Sequence, residues 1–203
     1  MDDRVILHLI RHEKTAANIA RKYIGWTDEP IVTEQVHMNI PVATTVVYGS
    51  DLMRCEQTAA LYFPSAKFKA HADLRETHFG DFEMKTYEEL KDNLSYRAWI
   101  DCPGNNPPLN GESLAAFQAR VLNAVKDIVV AAGQYTFVVH GGVIRILLAQ
   151  FAPDVTNFQQ VMANHRTLYT LEWSNIKDFQ GGARCKLYSE ALLTEKDNTS
   201  KHN

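Results

Sequence analysis

The sequence predicts an α/β fold, a three-layer α/β/α sandwich around a mostly parallel β-sheet. Three short runs of apolar and β-branched residues, at 5–10, 43–48 and 135–139, are typical of strands buried on both faces of such a sheet. Helical patterns follow the second and third of these runs. Because parallel strands are joined by crossovers that usually carry a helix, this alternation indicates a sheet covered by helices.

The first half of the chain contains two predicted strands and two predicted helices. Residues 5–10 form the first strand and residues 43–48 the second. A helix follows the second strand as far as residue 62, with Ser50 or Asp51 as its N-cap and Pro64 as its stop signal. Residues 113–132 carry apolar side chains at helical spacing, and Gly133 is the predicted C-cap.

The second half repeats this pattern. A strand at 135–139 leads through His140 into an apolar helix at 143–151. Two last strands, at 167–173 and 183–188, are predicted on either side of a turn at Gly181 and Gly182.

Length and local composition predict one domain over residues 1–194. The proline-containing stretch at 79–110 is predicted to be an insertion or lid over one end of the sheet. Residues 195–203 are polar, and we expect them to form a frayed tail.

The composition argues against several classes of protein. With 21 Lys and Arg against 24 Asp and Glu, the net charge is −3, whereas nucleic-acid and anionic-membrane binders have basic surfaces. The chain has no apolar run near the ~20 residues that cross a bilayer, and its start lacks the order of a signal peptide. Its three scattered cysteines indicate neither a disulfide framework nor a structural zinc site. A cytoplasmic protein is expected; the oligomeric state is not readable from the sequence.

Polar side chains follow the predicted strands at the edge where α/β proteins bind ligands. Arg11 and His12 follow the first strand, Arg54 lies one helical turn beyond the second, and His140 follows the third. Two arginines and two histidines at one edge predict a pocket for an anion with several charged oxygens, since the guanidinium fork suits phosphate. The glycine at 141 lets backbone amides at a helix start approach the same anion.

Each of these residues has a simpler interpretation when taken alone. A histidine on a buried strand is usually a hydrogen-bonded core residue, and an arginine or glutamate on a helix usually faces solvent. His8 and His12 have the spacing of two zinc ligands, but their context is a strand and no third ligand is near. A cysteine-phosphatase site is excluded because neither Cys55 nor Cys102 is followed six residues later by an arginine. Glu76 supplies a carboxyl group that could donate a proton.

Several separated motifs resemble the histidine phosphatase superfamily, in its phosphoglycerate mutase-like branch. LIRHEKTAAN at 9–18 is similar to the RHGxTxxN signature, and GWTDEPI at 25–31 to the GWxDxPL segment. SDLMRCEQTA at 50–59 matches SDLxRxxQTA, and LRETHFG at 74–80 matches LRExxFG. GES at 111–113 with RV at 120–121, and HGGVIR at 140–145, complete the order. The resemblance covers about residues 5–173 and implies the fold of phosphoglycerate mutases.

The resemblance implies a phosphohistidine mechanism. His12 would attack the phosphorus of a phosphomonoester, and Arg11, Arg54 and His140 would hold the phosphoryl oxygens. Glu76 would protonate the leaving alcohol and then take a proton from water. Further phosphate contacts are expected from the residues Thr15, Asn18, Gly25 and Gly141. No metal or organic cofactor is implied, since the arginines take the place of a cation.

Two positions depart from the family pattern. Glu13 stands where the signature has glycine, and Met84 ends FEM at 82–84 where the family has WEG. We expect Glu13 to turn outward or to pair with Lys14 or Arg21, so that Glu13→Gly leaves kcat/KM within about a few-fold. Met84 is expected to change the packing of the lid.

Three functions fit the resemblance. The first is a phosphatase acting on small phosphorylated metabolites, similar to α-ribazole phosphatases and broad-specificity relatives; the compact chain favours water as the acceptor. The second is a phosphoglycerate mutase, with Arg21 and Lys22 as candidate carboxylate ligands. The third is an inactive member that binds phosphorylated partners. Nucleic-acid and membrane partners are not expected.

Overall fold

The computed structural model describes residues 2–32, 37–155 and 157–196. Its strands are β1 (Val5–Arg11), β2 (Met38–Asn39), β3 (Val46–Gly49), β4 (Lys67–Ala70), β5 (Gly133–Val139), β6 (Thr167–Trp173), β7 (Leu187–Leu192) and β8 (Thr194–Glu195). Its α-helices are α1 (Ala16–Ile19), α2 (Met53–Tyr62), α3 (Tyr87–Leu90), α4 (Leu94–Asp101), α5 (Leu114–Ile128), α6 (Gly141–Phe151) and α7 (Ile176–Gln180). Short 3-10 turns lie at Ala72–Leu74, Gly80–Phe82 and Phe158–Gln160.

A six-stranded sheet with the order β4-β3-β5-β1-β6-β7 forms the centre of the fold. Strands β4, β3, β5 and β1 are parallel, whereas β6 is antiparallel to both of its neighbours. Strands β2 and β8 form a separate two-stranded sheet. The mostly parallel sheet predicted from the sequence is therefore confirmed. In the part of the chain that the structure describes, no helix has the length and apolar character needed to span a membrane.

Helices cover both faces of the sheet. On β1, Leu7 and Leu9 belong to a large apolar cluster that also contains Val121 of α5 and Leu147 of α6. Ile10 belongs to a second cluster, together with Ala59 of α2. Because successive side chains of a strand point to opposite faces, these clusters lie on the two sides of the sheet. The predicted three-layer sandwich is thus confirmed.

Two predicted helix caps are wrong. Leu52 is the N-cap of α2, and the Ser50 hydroxyl bonds to His140 and to the Leu52 amide. Helix α5 ends at Ile128 with Val129 as its C-cap, whereas Gly133 begins β5 with a positive φ of 148°. In both cases the residue type is common at helix caps. Ser50 instead forms a tertiary hydrogen bond, and Gly133 is part of a strand.

The last predicted strand is also displaced. Helix α7 occupies part of the segment between β6 and the turn at Gly181 and Gly182, and β7 runs over Leu187–Leu192 instead of 183–188. Residue 195, predicted to begin a frayed tail, is instead paired, because Thr194–Glu195 pairs with Met38–Asn39 as β8. Residues 197–203 lie outside the described residues.

Residues 79–110, predicted as a lid, follow β4 and precede α5 in the sequence. Part of this segment packs into a small, mostly aromatic cluster. Phe82, Leu90 and Tyr96 are buried in it, and Tyr23 and Trp99 pack against them. The Tyr23 and Tyr96 hydroxyls are 2.6 Å apart, within hydrogen-bonding distance. This cluster ties the segment to the chain that follows α1.

Met84 adopts a backbone conformation that favours glycine, with a φ of 62°. A residue with a Cβ in this left-handed region destabilises the fold by about 1–2 kcal/mol. Glycine removes that cost, but part of the gain is lost because glycine has a larger chain entropy in the unfolded state. We therefore expect Met84→Gly to raise the free energy of unfolding by up to about 1 kcal/mol, measured by urea denaturation. Met84→Ala, which keeps the Cβ, is the matched control and should give no gain. A loss in the glycine variant would contradict the strain argument.

Candidate active site

The predicted polar residues meet at the carboxyl edge of three neighbouring strands. His12 follows β1, His140 follows β5 and Ser50 follows β3. The His12 amide continues the sheet ladder by donating to the Val139 carbonyl at 2.9 Å. The rings of His12 and His140 lie edge to face with centroids 5.1 Å apart. Parallel strand order thus brings together residues that are 128 positions apart.

The hydrogen bonding of His12 fixes which ring nitrogen carries the proton. Its Nδ1 lies 2.6 Å from the Glu13 carbonyl oxygen. Since a carbonyl only accepts, Nδ1 donates, and Nε2 keeps its lone pair in the neutral ring. Burial, reinforced by the charges of Arg54 and Arg11, lowers the pKa of His12 well below its ordinary value. His12 is therefore a buried, neutral imidazole at neutral pH.

Both ring nitrogens of His140 are engaged by protein groups. Its Nε2 lies 2.7 Å from the Ser50 hydroxyl, and its Nδ1 accepts from Arg54 Nε at 3.3 Å. Burial, and then the charge of Arg54, lowers the pKa of His140 well below its ordinary value, so this ring is also neutral. His140 thus orients the guanidinium of Arg54 as well as lying beside His12.

Arg54 is fully buried and is fixed on three sides. Besides the bond to His140, its two terminal nitrogens donate to the carbonyls of Thr27 at 2.9 Å and Gly25 at 2.6 Å. The Gly25 amide, expected to contact phosphate, instead donates to Glu83 Oε1 at 2.7 Å. A side chain at position 25 would collide with the Thr77 carbonyl, 2.1 Å from the position of its Cβ. The structure therefore gives Gly25 a packing role and makes its carbonyl a support for Arg54.

The guanidinium of Arg11 is only partly bonded within the described part of the chain. One of its terminal nitrogens, Nη1, donates to the Ala163 carbonyl at 2.8 Å. Its Nε is buried and has no hydrogen-bond partner among the residues that the structure describes. Such a donor is costly unless a ligand supplies an acceptor. Gly141, the first residue of α6, lies against this guanidinium. Arg11 is thus suited to bind an anion beside His12.

The carboxylate of Glu76 is held at the start of α6. Its two oxygens accept from the amides of Gly142 at 2.8 Å and Thr77 at 2.9 Å. The close approach requires glycine at 142, because a Cβ there would lie 2.1 Å from Glu76 Oε1. The structure therefore brings Glu76 to the same strand edge as His140.

Arg120 fixes the loop that carries Glu76. It donates to the carbonyls of Asp73, Arg75 and Glu76 at 2.8–2.9 Å. Its guanidinium also forms a bidentate pair with Glu112, with distances of 2.6 and 2.7 Å. This explains the GES and RV motifs as the support of the Glu76 loop.

Thr15 and Asn18, two further expected phosphate ligands, form the cap of α1. The Thr15 hydroxyl accepts from the Asn18 amide at 3.3 Å, and the Asn18 side-chain oxygen accepts from the Thr15 amide at 3.2 Å. This reciprocal capping box accounts for both residue types without a ligand. The phosphate contacts expected of Thr15 and Asn18 stay a prediction.

The expected orientation of Glu13 is wrong, whereas the expected effect of Glu13→Gly on kcat/KM stays a prediction. Glu13 is 2% exposed and does not turn outward. Its carboxylate accepts from Arg166 Nε at 2.9 Å and from the Tyr62 hydroxyl, instead of pairing with Lys14 or Arg21. Arg166 lies before β6 and is 153 residues away, so sequence proximity could not identify this partner.

Because Glu13 is buried and paired, removing its charge should destabilise the fold. We expect Glu13→Gln to lower the free energy of unfolding by about 2–4 kcal/mol, measured by urea denaturation. Glu195 binds the same Arg166 from the surface at 2.7 Å, so Glu195→Gln is the matched control and should cost less than about 1 kcal/mol. Equal losses of unfolding free energy in the two variants would contradict a larger contribution of the buried Glu13 than of the exposed Glu195.

His165 is a site residue that the sequence reasoning missed. Its Nδ1 lies 2.7 Å from the His12 carbonyl oxygen, and its ring is 5.7 Å from that of His12. Burial, with the charge of Arg11, lowers the pKa of His165 to about 4. His165 lies at the carboxyl edge of the parallel strands because β6 is antiparallel, so that the start of β6 is at this edge. A prediction of parallel strands gave no indication of this.

These histidines make stability depend on pH. Burial lowers the pKa of His8, His12, His140 and His165, so protons bind to these positions more readily in the unfolded chain. Stability is thus retained above about pH 6.5 and is lost as the pH falls below that value, by about 1.4 kcal/mol per pH unit for each proton. Urea unfolding should show a loss of at least about 1.4 kcal/mol between about pH 7 and pH 5.5. His165→Asn should reduce this slope, and a pH-independent wild type would contradict the argument.

Comparison with known proteins identifies the family of the chain. The family model of the histidine phosphatase superfamily (branch 1) matches residues 7–180. The chain is 32% identical over 161 residues to the adenosylcobalamin/alpha-ribazole phosphatase of Salmonella typhimurium, covering 71% of this chain and 78% of that protein. It is 27% identical to phosphoglycerate mutase-like protein 4 of Arabidopsis thaliana, covering 80% and 78%.

A solved structure shares the fold as well. The alpha-ribazole phosphatase from Shigella flexneri superposes with a TM-score of 0.73 and 22% identity, covering 93% of this chain and 95% of that one. Family match, sequence identity and fold agree with the resemblance of the motifs. The chain therefore belongs to the histidine phosphatase superfamily.

Proposed function

We propose that the protein is a phosphatase that hydrolyses phosphomonoesters through a phosphohistidine at His12. The observation that carries this proposal is the hydrogen bond from His12 Nδ1 to the Glu13 carbonyl, which leaves Nε2 as a free nucleophile. The lowered pKa of His12 keeps that nitrogen unprotonated at neutral pH. Membership of the histidine phosphatase superfamily supports the same reaction.

In the first step, Nε2 of His12 forms a bond to phosphorus while the bond from phosphorus to the alcohol oxygen breaks. Glu76 donates a proton to that oxygen, and the alcohol leaves. Two backbone amides fix the Glu76 carboxyl group beside the strand edge, which supports this role.

In the second step, water attacks the phosphorus of the phosphohistidine. Glu76 takes a proton from the water, the bond from nitrogen to phosphorus breaks, and inorganic phosphate leaves. The neutral imidazole of His12 and the protonated Glu76 are restored, ready for the next substrate.

Arg11 and Arg54 supply the positive charge for both steps. The unpartnered Nε of Arg11 binds a phosphoryl oxygen, and Arg54 neutralises the charge that spreads over the equatorial oxygens. His140 holds Arg54 in place through Nδ1. Two fixed guanidinium groups supply the positive charge that a metal ion would otherwise supply, so the reaction needs neither a metal nor an organic cofactor.

The substrate is proposed to be a small phosphorylated metabolite of the cytoplasm, with α-ribazole 5′-phosphate as the first candidate. The name of the Salmonella relative motivates that candidate. Residues 1–194 with a lid at 79–110 would form the catalytic domain.

The test is phosphate release from a panel of phosphomonoesters in excess EDTA, including α-ribazole 5′-phosphate. Turnover with water alone supports the phosphatase. Activity only with 3-phosphoglycerate and a bisphosphoglycerate primer would identify a mutase instead. Tight binding of phosphate without turnover of any ester, in a folded protein, would identify an inactive member and overturn the proposal.

A further inference from the structure

A cavity beside the candidate active site has five aromatic rings in its lining. Its volume is about 150 Å³, and Glu76 and Gly142 form part of its wall. Since Glu76 is the proposed proton donor to the leaving oxygen, the alcohol part of a substrate would enter this cavity. The cavity therefore bears on which alcohol the enzyme accepts, an inference that rests on the proposed phosphatase activity.

Aromatic rings from distant parts of the chain line the cavity. Tyr23, Phe79 and Trp99 form one wall, with ring centroids 5.2–6.0 Å apart. Phe117 of α5 and Phe158 of the last 3-10 turn also line it. Rings held in edge-to-face contact are rigid, and they favour a further ring over a flexible polar chain.

Several polar groups of the lining already bond within the protein. Glu112 is paired with Arg120, and the Glu76 oxygens accept from backbone amides. Arg145 lies 4.1 Å from the centre of the Phe158 ring and donates to the Phe158 carbonyl at 3.1 Å. An alcohol that carries only hydroxyl groups would lose its water and gain few equivalent partners here. The lining therefore favours an alcohol that carries a ring over one that carries hydroxyl groups alone.

The size of the cavity limits the ring system. A protein cavity of about 150 Å³ with an apolar lining holds benzene. We propose that this cavity binds one aromatic or heteroaromatic ring of the alcohol part, so that the enzyme prefers phosphomonoesters whose alcohol carries such a ring a short distance from the phosphate.

The test compares two esters that both release a primary alcohol, so that leaving-group reactivity does not dominate. We expect kcat/KM for 2-phenylethyl phosphate to exceed that for glycerol 3-phosphate by at least about tenfold, as burial of a ring requires. Equal values would overturn the aromatic preference while leaving the phosphatase proposal intact. A preference for 3-phosphoglycerate over both would also overturn it, because Arg145 would then be binding a carboxylate.

Phe158→Ala tests the cavity itself. It should lower kcat/KM for 2-phenylethyl phosphate about tenfold and that for glycerol 3-phosphate less than about twofold. Tyr135→Ala removes another partly buried ring that packs on the main core but lies outside the cavity, and it should leave the ratio of the two esters unchanged. An equal loss on both esters in Phe158→Ala would overturn the inference. No turnover of any ester would overturn the proposed function, and the inference with it.

Discussion

Replacing His12 by alanine is expected to lower kcat by at least about 10⁴-fold, because the variant has no nucleophile for the first step. Wild-type enzyme quenched during turnover of a substrate with labelled phosphorus should carry the label on the protein. The phosphorus–nitrogen bond should be acid-labile and stable in base. His12→Ala should carry no label and should keep the fold, since the variant removes a ring at the edge of the sheet.

The matched control is His8→Asn. His8 lies on β1, the strand that His12 follows, is also buried, and hydrogen-bonds Thr170 at 3.1 Å rather than any residue of the site. The control should keep its phosphoenzyme and most of its turnover. Retention of kcat within about tenfold in His12→Ala would show that the nucleophile lies elsewhere.

The fold was predictable where strands are fully buried. Strands β1 and β5 are apolar along most of their length, and their runs in the sequence match the observed elements to within two residues. Strand β4 was missed because it lies at the edge of the sheet with three of its four residues exposed, so it contains no apolar run. The last strand was predicted too early in the sequence because helix α7, which precedes it, was missed. The five residues of α7 are too few to show a helical period.

The candidate site was predictable as far as it depends on parallel strand ends. His12 and His140 come directly after neighbouring strands, so sheet order alone places them together. His165 and Arg166 reach the site through an antiparallel strand, and Glu13 finds its partner there. A glutamate beside a catalytic motif looks exposed in a sequence, because nothing local reveals a buried cation 153 residues away.

Replacing Glu76 by glutamine is expected to lower kcat by about 10²–10⁴-fold on an alkyl phosphate such as glycerol 3-phosphate. The glutamine oxygen can still accept from the Gly142 amide, so the loop should keep its position. What the variant lacks is a proton to give to the leaving alkoxide. The measurement is kcat in the wild type and variant under saturating substrate.

The leaving group separates a proton donor from a structural support. With 4-nitrophenyl phosphate the leaving phenolate is stable without protonation, so the first step no longer needs Glu76, and the loss in kcat/KM, which reports formation of the phosphoenzyme, should shrink to less than about tenfold. Labelled phosphoenzyme should then accumulate in the variant, because the second step still needs a base to take the proton from water. If Glu76→Gln lost the same factor in kcat/KM on both esters and accumulated no phosphoenzyme, the carboxylate would serve only to hold α6 against its loop, and the proton would have to come from another group.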